Sequence, residues 1–439
     1  MKNDARFLTV KVLNRFNRDQ KKLHLIIDEI ISNAQIDLLT RSRVRVLSNE
    51  TIRFKGRLEF MIEYVSGRRC DKIDPSILSI LKIAFYEILI DEIVPNYAAV
   101  DSAVTLTRNL LNRKAAGFTN AILRKLTRKN DEDKNWYHHL VDDSNWHSLP
   151  IWMQERWKKR FGTEQFLELV KNINLPSPSF IRVETEKIGI DAAKESLIGD
   201  GISLQKYSSS FLKLDHGLGK VLRTDLFRSG KISIQDPASA AIVDCMDAKP
   251  GETILDVCAA PGTKTLYLSN IVGEIGTILA SDLSTERVKS GKEDMKRHGQ
   301  KNIQWSVKDA KKDTYPLADR ILIDAPCTGT GVLGRRPDIR WICKPGDINQ
   351  ASDKQIRILN NCSKFLKPNG TLVYATCSIE PEENWNVVDR FLKLNSDFSV
   401  DTVPRKIPSN WIDERGALRT LPHSHGVDGM FAAKLKRKQ

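Results

Sequence analysis

Two cysteines carry the sharpest chemical signal in the sequence. Cys327 closes the run Asp324-Ala325-Pro326-Cys327, and Cys377 sits in Thr376-Cys377-Ser378, each directly after a short apolar stretch of β character. A lone cysteine is usually a small buried hydrophobe. Two of them at the carboxyl ends of neighbouring strands are different, because that edge of an open parallel sheet is where ligands bind. A thiolate there can act as a nucleophile and split one hard step into two easier ones. A helix expected to begin near Pro381 would favour the Cys377 thiolate through its dipole, with Glu380, Glu382 and Glu383 opposing it. Asp324 is placed to stabilise charge that develops during an addition.

The remaining strand ends narrow the ligand. After the expected strand 253–257 comes Cys258-Ala259-Ala260-Pro261-Gly262-Thr263-Lys264, followed by a helix over 265–272. These small residues let backbone N–H groups approach a ligand at a helix N-terminus, where a carboxylate or phosphate is favoured. The dinucleotide fingerprint Gly-x-Gly-x-x-Gly is absent. Asp282 ends the second expected strand, where an acid can hold a ribose hydroxyl pair, and Asp309 ends the third. Loop and acid together suggest a nucleoside that carries a carboxylate, and S-adenosylmethionine fits. Paired thiols then acquire a purpose. Carbon 5 of a pyrimidine is too poor a nucleophile to attack a methyl sulfonium, but a thiolate added at carbon 6 makes carbon 5 enamine-like.

These groups need a scaffold. Short β-rich segments at 253–257, 277–281, 303–307, 320–323 and 371–375 alternate with helical ones, which argues for a parallel sheet covered on both faces over 231–439. Residues 146–230 read as a small α+β unit, with strands at 180–183, 202–207 and 211–214 and a helix at 190–199. Residues 1–135 read as helical, for instance at 16–34, 55–65, 77–92 and 100–127, with a break in the last expected near Gly117 and Asp131 to Asn145 as a linker. The fold class is therefore α/β, preceded by an all-α domain and a small α+β domain.

Charge indicates the partner. The chain has 439 residues and a formal charge of +14, of which residues 1–140 contribute +8 from 25 basic and 17 acidic side chains. Between Ser102 and Asn130 lie Arg108, Arg113, Lys114, Arg124, Lys125, Arg128 and Lys129 with no acid, opposite an apolar stripe of Leu106, Leu110, Leu111, Phe118, Ile122 and Leu126. A basic face without interspersed acids suits a polyanion. Arg335, Arg336 and Arg340, beside Trp341, are expected to hold phosphates and stack on bases. The seven cysteines include no Cys-x-x-Cys pair, so neither zinc nor a disulfide framework is expected. With no secretion signal or apolar span expected, the reading is a cytoplasmic chain that binds no membrane and no metal.

At these residues the sequence resembles the Nop/Sun-type RNA (cytosine-5) methyltransferases. The stretches that carry the likeness are ILDVCAAPGTK (254–264), IDAPCTGTGVLGRRPDIRW (323–341) and YATCSIEPEEN (374–384), with shorter agreement at Gln235–Ser239 and Asp428–Phe431. Residues 81–129, including Tyr97-Ala98-Ala99-Val100, resemble the NusB-like helical RNA-binding domain. That order of domains is found in bacterial methyltransferases that modify one cytosine of 16S ribosomal RNA. The resemblance implies S-adenosylmethionine as cofactor, contacted by Cys258, Ala259, Ala260, Pro261, Gly262, Thr263, Lys264, Asp282, Asp309 and Asp324. It implies Cys377 as nucleophile and Cys327 as the cysteine that assists release. Thr263 stands where the family usually has glycine, which would strain the loop if φ were positive there. A monomer acting on 16S ribosomal RNA, naked or in an early assembly intermediate, is the expectation. The alternatives are the same chemistry on transfer RNA or another ribosomal site, and a non-catalytic RNA-binding assembly factor.

Overall fold

The computed structural model describes residues 4–438; residues 1–3 and 439, at the outer ends of the first and last expected domains, lie outside them. The chain forms two compact units. One contains the chain up to Leu175 together with Leu333–Cys343, and the other contains Pro176–Val332 and Lys344 onward. The stretch expected as one α+β domain, 146–230, is thus divided between them.

The first unit is helical. Its helices include Ala5–Asp19, Leu23–Ser32, Leu38–Arg53, Lys55–Ser66, Pro75–Tyr86, Asn96–Leu110, Arg113–Glu132, Ile151–Phe161 and Thr163–Ile173. Phe16, Leu47, Leu58, Leu81, Phe85 and Leu123 are buried in its core. The helix expected over 16–34 is broken where Gln20 adopts a left-handed conformation with φ 50°. The stretch 100–127 breaks at Leu111 and Asn112 rather than at Gly117, because the Asn112 side chain accepts from the Ala115 N–H and caps a new helix. The expected linker 131–145 is folded: Trp136 is buried and stacks on Tyr64 with ring centroids 5.8 Å apart.

Residues 333–343 overturn one expectation. Arg340 is fully buried and does not face RNA. Its guanidinium donates to Arg53 O, Ser148 O, Ile173 O and Leu333 O and to Asn174 Oδ1, the last at 2.7 Å. Arg53 and Ile173 end two helices, so the cation sits where orphaned carbonyls and two negative dipole ends converge. Burial lowers its pKa to about 9, with the nearby Arg53 adding to the effect, yet it stays charged at neutral pH. Trp341 donates from Nε1 to Ile52 O at 2.7 Å and Arg336 pairs with Asp338 at 3.0 Å, so these residues too are engaged within the unit.

The second unit holds two sheets. Strands β1 (Ser179–Val183), β2 (Leu204–Lys206), β3 (Phe211–Leu214) and β4 (Ile232–Ile234) form an antiparallel sheet in the order β2-β3-β1-β4. The larger sheet contains β5 (Thr253–Val257), β6 (Thr277–Asp282), β7 (Ile303–Val307), β8 (Ala318–Asp324), β9 (Leu366–Thr376), β10 (Phe398–Val400) and β12 (Phe431–Arg437) in the order β10-β12-β9-β8-β5-β6-β7, with β11 (Leu418–Arg419) beside β12. Strands β5 to β9 pair in parallel, whereas β12 is antiparallel to β9. Their near-continuous apolar runs, such as Ile321-Leu322-Ile323, suit a sheet covered on both faces. Strand order reverses between β5 and β8, which is where such sheets bind ligands.

Replacing Arg340 by alanine leaves several buried acceptors without a donor and is expected to cost about 3–5 kcal/mol. Denaturant unfolding of the purified chain measures this. Arg340→Lys should restore only part of the loss, since one ammonium cannot span both helix ends.

Candidate functional site

The site lies at the carboxyl ends of β5, β6, β8 and β9. Asp324 of β8 is in register with Ala375 of β9, and the ladder extends one step further through Ala325 N–H to Ala375 O at 2.9 Å. Beyond that pairing the two chains turn out of the sheet, and Cys327 Sγ lies 3.1 Å from Cys377 Sγ. Both residues are partly accessible. The hydrogen bond between the sulfurs, together with burial, raises the Cys327 pKa well above that of a free thiol. Either sulfur can be the donor of this contact.

Backbone close approach fixes the Cys377 loop. Gly331 N–H donates to Cys377 O at 3.0 Å, and Gly429 N–H donates to Gly331 O at 2.9 Å. A Cβ on Gly331 would lie 2.0 Å from Gly429 O, so no other residue fits at that position. The agreement at Asp428–Phe431 thus has a structural cause. Asn384 braces the same loop, accepting from Thr376 Oγ1 at 2.6 Å and donating to Ser378 O at 2.9 Å.

The expected dipole at Cys377 is absent. Pro381–Glu383 is a single 3-10 turn and the helix starts only at Trp385, running to Leu394. The acids near Cys377 are not a diffuse opposing charge either, because Glu380 and Glu383 are buried. Glu383 accepts from Ser378 Oγ, Thr328 N, Thr328 Oγ1 and Gln355 Nε2. Burial pushes its carboxyl up, against the pull of those hydrogen bonds. Weighing Glu383 only by its charge missed this; the signal available was its place six residues after the thiol.

Lys264 lies beside the thiols. Its Nζ is 2.8 Å from Asp324 Oδ2. Burial would lower its pKa, but the attraction of Asp324 outweighs this, Cys377 adds to it, and the ammonium is held above its usual value. Lys264 and Asp324 were expected among the cofactor contacts; the structure joins them to each other. Asp256, on β5, escaped notice although an acid inside an apolar strand is itself a signal. It accepts from Thr265 Oγ1 at 2.7 Å, and burial raises its pKa to about 7.

The nucleoside side is built from the first loop and β6. Positive φ falls on Cys258 (60°) and Gly262 (108°), while Thr263 heads the helix Thr263–Val272, so threonine there carries no strain. Asp282 is buried, accepts from Ala260 N at 3.2 Å and Ser284 N at 3.0 Å, and pairs with Arg287 at 3.1 Å. Asp309 caps a local turn, accepting from Lys311 N at 3.1 Å. The S-adenosylmethionine implied by the sequence fits these residues. Asp256 Oδ1 is buried without a partner at the foot of the loop, and the first-turn amides of the helix have no intrahelical acceptors.

Comparison with known proteins agrees. Residues 243–436 match the family described as 16S rRNA methyltransferase RsmB/F, residues 3–128 the NusB family, and residues 149–219 the RsmF/B-like ferredoxin-like domain. The chain is 28% identical to the probable ribosomal RNA small subunit methyltransferase B of Bacillus subtilis over 100% of this chain and 99% of the relative. It is 31% identical to ribosomal RNA small subunit methyltransferase B of Pasteurella multocida, covering 87% and 84% of the two chains. A crystal structure of a methyltransferase homolog from Pyrococcus horikoshii superposes with TM-score 0.56 at 28% identity, covering 68% of this chain and 96% of that one. The chain belongs to the RsmB/F family of 16S rRNA methyltransferases, and its cofactor is S-adenosylmethionine.

Proposed function

We propose that the chain methylates carbon 5 of a cytosine in 16S ribosomal RNA through a covalent adduct between Cys377 and carbon 6 of the base. The observation that carries this reading is the 3.1 Å contact between two thiols beside a Lys264–Asp324 ion pair at the switch point of the sheet. The family resemblance makes Cys377 the attacking sulfur, and Cys327 Sγ lies within hydrogen-bond distance of it. As it adds to carbon 6, the electron pair of the 5,6 double bond moves toward carbon 5, and charge developing at the ring nitrogen meets the proton-bearing Lys264–Asp324 couple. S-adenosylmethionine supplies an electrophilic methyl group. With the methyl group on carbon 5, transfer of the carbon-5 proton to water re-forms the 5,6 double bond as the C6–S bond breaks and expels the Cys377 thiolate. As the thiol of the pair, Cys327 then donates to the departing Cys377 thiolate across this 3.1 Å contact.

The first unit supports an RNA substrate. Two adjoining depressions of about 610 and 560 Å³ between the helices Asn96–Leu110 and Arg113–Glu132 are lined by Tyr97, Asn120 and Arg124, and by Arg108 and Arg113. Arg108, Arg113, Lys114, Arg124, Lys125 and Arg128 are exposed. Such a surface suits phosphates.

Cys377→Ala should abolish methyl transfer to ribosomal RNA while leaving S-adenosylmethionine affinity unchanged, as measured by tritium transfer and calorimetry. Normal transfer by this variant would refute the nucleophile. Cys327→Ala should accumulate a denaturant-stable RNA–protein adduct, visible as a retarded band; full activity with no band removes its role in release. Asp282→Ala should weaken S-adenosylmethionine binding about tenfold, one lost charge-assisted contact, with RNA affinity unaffected in a filter-binding assay.

A further inference from the structure

The loops that carry the two cysteines share a buried anchor that touches neither sulfur. We propose that Glu383 is a positioning residue that ties the residue after each cysteine, Thr328 and Ser378, to one carboxylate and thereby sets the distance between the thiols. Its role in catalysis rests on the reaction proposed above, whereas the tie itself does not.

Glu383 is fully buried. Oε1 accepts from Ser378 Oγ at 2.6 Å and from Thr328 Oγ1; Oε2 accepts from Thr328 N and from Gln355 Nε2, each at 2.9 Å. Four donors fill the four lone-pair sites of an ionised carboxylate. The next ring of contacts is also satisfied. The Ser378 hydroxyl gives its proton to Glu383 and accepts from Glu380 N at 3.1 Å; it also lies 3.2 Å from Thr330 Oγ1, which accepts from Ile379 N at 3.1 Å. Residues 328 and 330 from one loop and 378 to 380 from the other thus belong to one network. Behind it, Tyr374 OH donates to the Glu383 backbone carbonyl and lies 3.1 Å from Gln355 Oε1, which fixes the residue 383 backbone and the Gln355 side chain against β9.

The sheet alone does not give this placement. The β8–β9 ladder ends at Ala325 and Ala375, and each chain then runs two residues to its cysteine. The Gly331 N–H to Cys377 O bond ties one end of the thiol pair. Glu383 adds ties directly adjacent to both cysteines, and a buried, fully satisfied network of this kind specifies a single geometry. An amide at 383 could keep these contacts only with its N–H₂ toward the Ser378 and Thr328 hydroxyls, both of which would have to turn their protons away, and it would lose the charge that strengthens all four bonds.

The experiment reads the sulfur separation without RNA. Diamide oxidises a close thiol pair to a disulfide while its azo bond takes up both hydrogens to become a hydrazine. The rate at which peptides containing Cys327 and Cys377 become linked, followed by mass spectrometry, reports how often the sulfurs meet. Glu383→Gln is expected to slow this linkage about tenfold and to lower kcat by about tenfold or more, with KM for RNA and S-adenosylmethionine affinity held within about twofold. Glu383→Asp, which keeps the charge on a shorter arm, should recover part of the linkage rate. Should Glu383→Gln fail to fold, Thr328→Val and Ser378→Ala each remove one donor and should each slow linkage about threefold. Wild-type linkage in Glu383→Gln, or in both single-donor variants, overturns the proposal. RNA carrying 5-fluorocytidine, which has no carbon-5 proton to lose, separates the two readings. Failure of the wild-type chain to form an adduct with it would refute the cytosine chemistry, while the linkage rates would still decide the role of Glu383.

Discussion

The parallel pairing of β8 with β9 is the constraint on which the site depends. Cys327 and Cys377 are 50 residues apart in the chain, and nothing local to either sequence brings them together. Register does. A slip of one residue would move one sulfur by about 3.3 Å along the strand and turn alternate side chains to the opposite face. Such a slip is blocked because both faces are filled: Ile321, Leu322 and Ile323 lie beside Leu372, Val373 and Tyr374, all buried. The hydrophobic core therefore acts on the chemistry through geometry, by fixing which residue stands last on each strand before the chain leaves the sheet.

Electrostatics completes what register begins. Asp256, Lys264 and Asp324 place two acids and one lysine within a few residues of two strand ends, and they are not equivalent. Desolvation pushes Asp256 toward the neutral form, whereas Asp324 is partly exposed and holds the Lys264 ammonium. The lysine thus serves the carboxylate on the thiol side of the site. Asp256 has one oxygen committed to Thr265 and one buried without a partner, on the side of the nucleoside loop. A single cluster in this way separates a lysine–carboxylate pair from a buried acid beneath the first loop.

Much of the fold was legible. The strands 253–257 and 303–307 coincide with β5 and β7, and the helix 190–199 is as expected, because apolar runs bounded by Gly, Pro and Asn are direct consequences of burial and turn chemistry. Helix breaks were harder. Gln20 is left-handed without being glycine, and the cap at Asn112 competes with an apolar stripe that runs on past it. For the site, residue types showed that Cys327, Cys377 and Asp324 stand at strand ends, but not that Glu383 joins their loops. Whether an acid is a solvated charge or a buried hydrogen-bond hub is decided by donors distant in sequence, here Thr328 and Gln355.

Arg340 makes the same point in reverse. By type and company, an Arg-Arg-Pro stretch with a tryptophan reads as a phosphate-binding loop, and local sequence contains nothing against it. What decides is the supply of acceptors. Fixing each residue of such a loop costs about 1–2 kcal/mol of backbone entropy, so it stays ordered only when its side chains find strong partners. Two helices that end at Arg53 and Ile173 offer unpaired carbonyls at their negative poles, and a planar guanidinium with five N–H groups can serve both at once. An exposed phosphate contact would be worth less, since it competes with water and salt. A cation drawn to such a pocket therefore becomes part of the fold, unlike the exposed arginines of the helices Asn96–Leu110 and Arg113–Glu132.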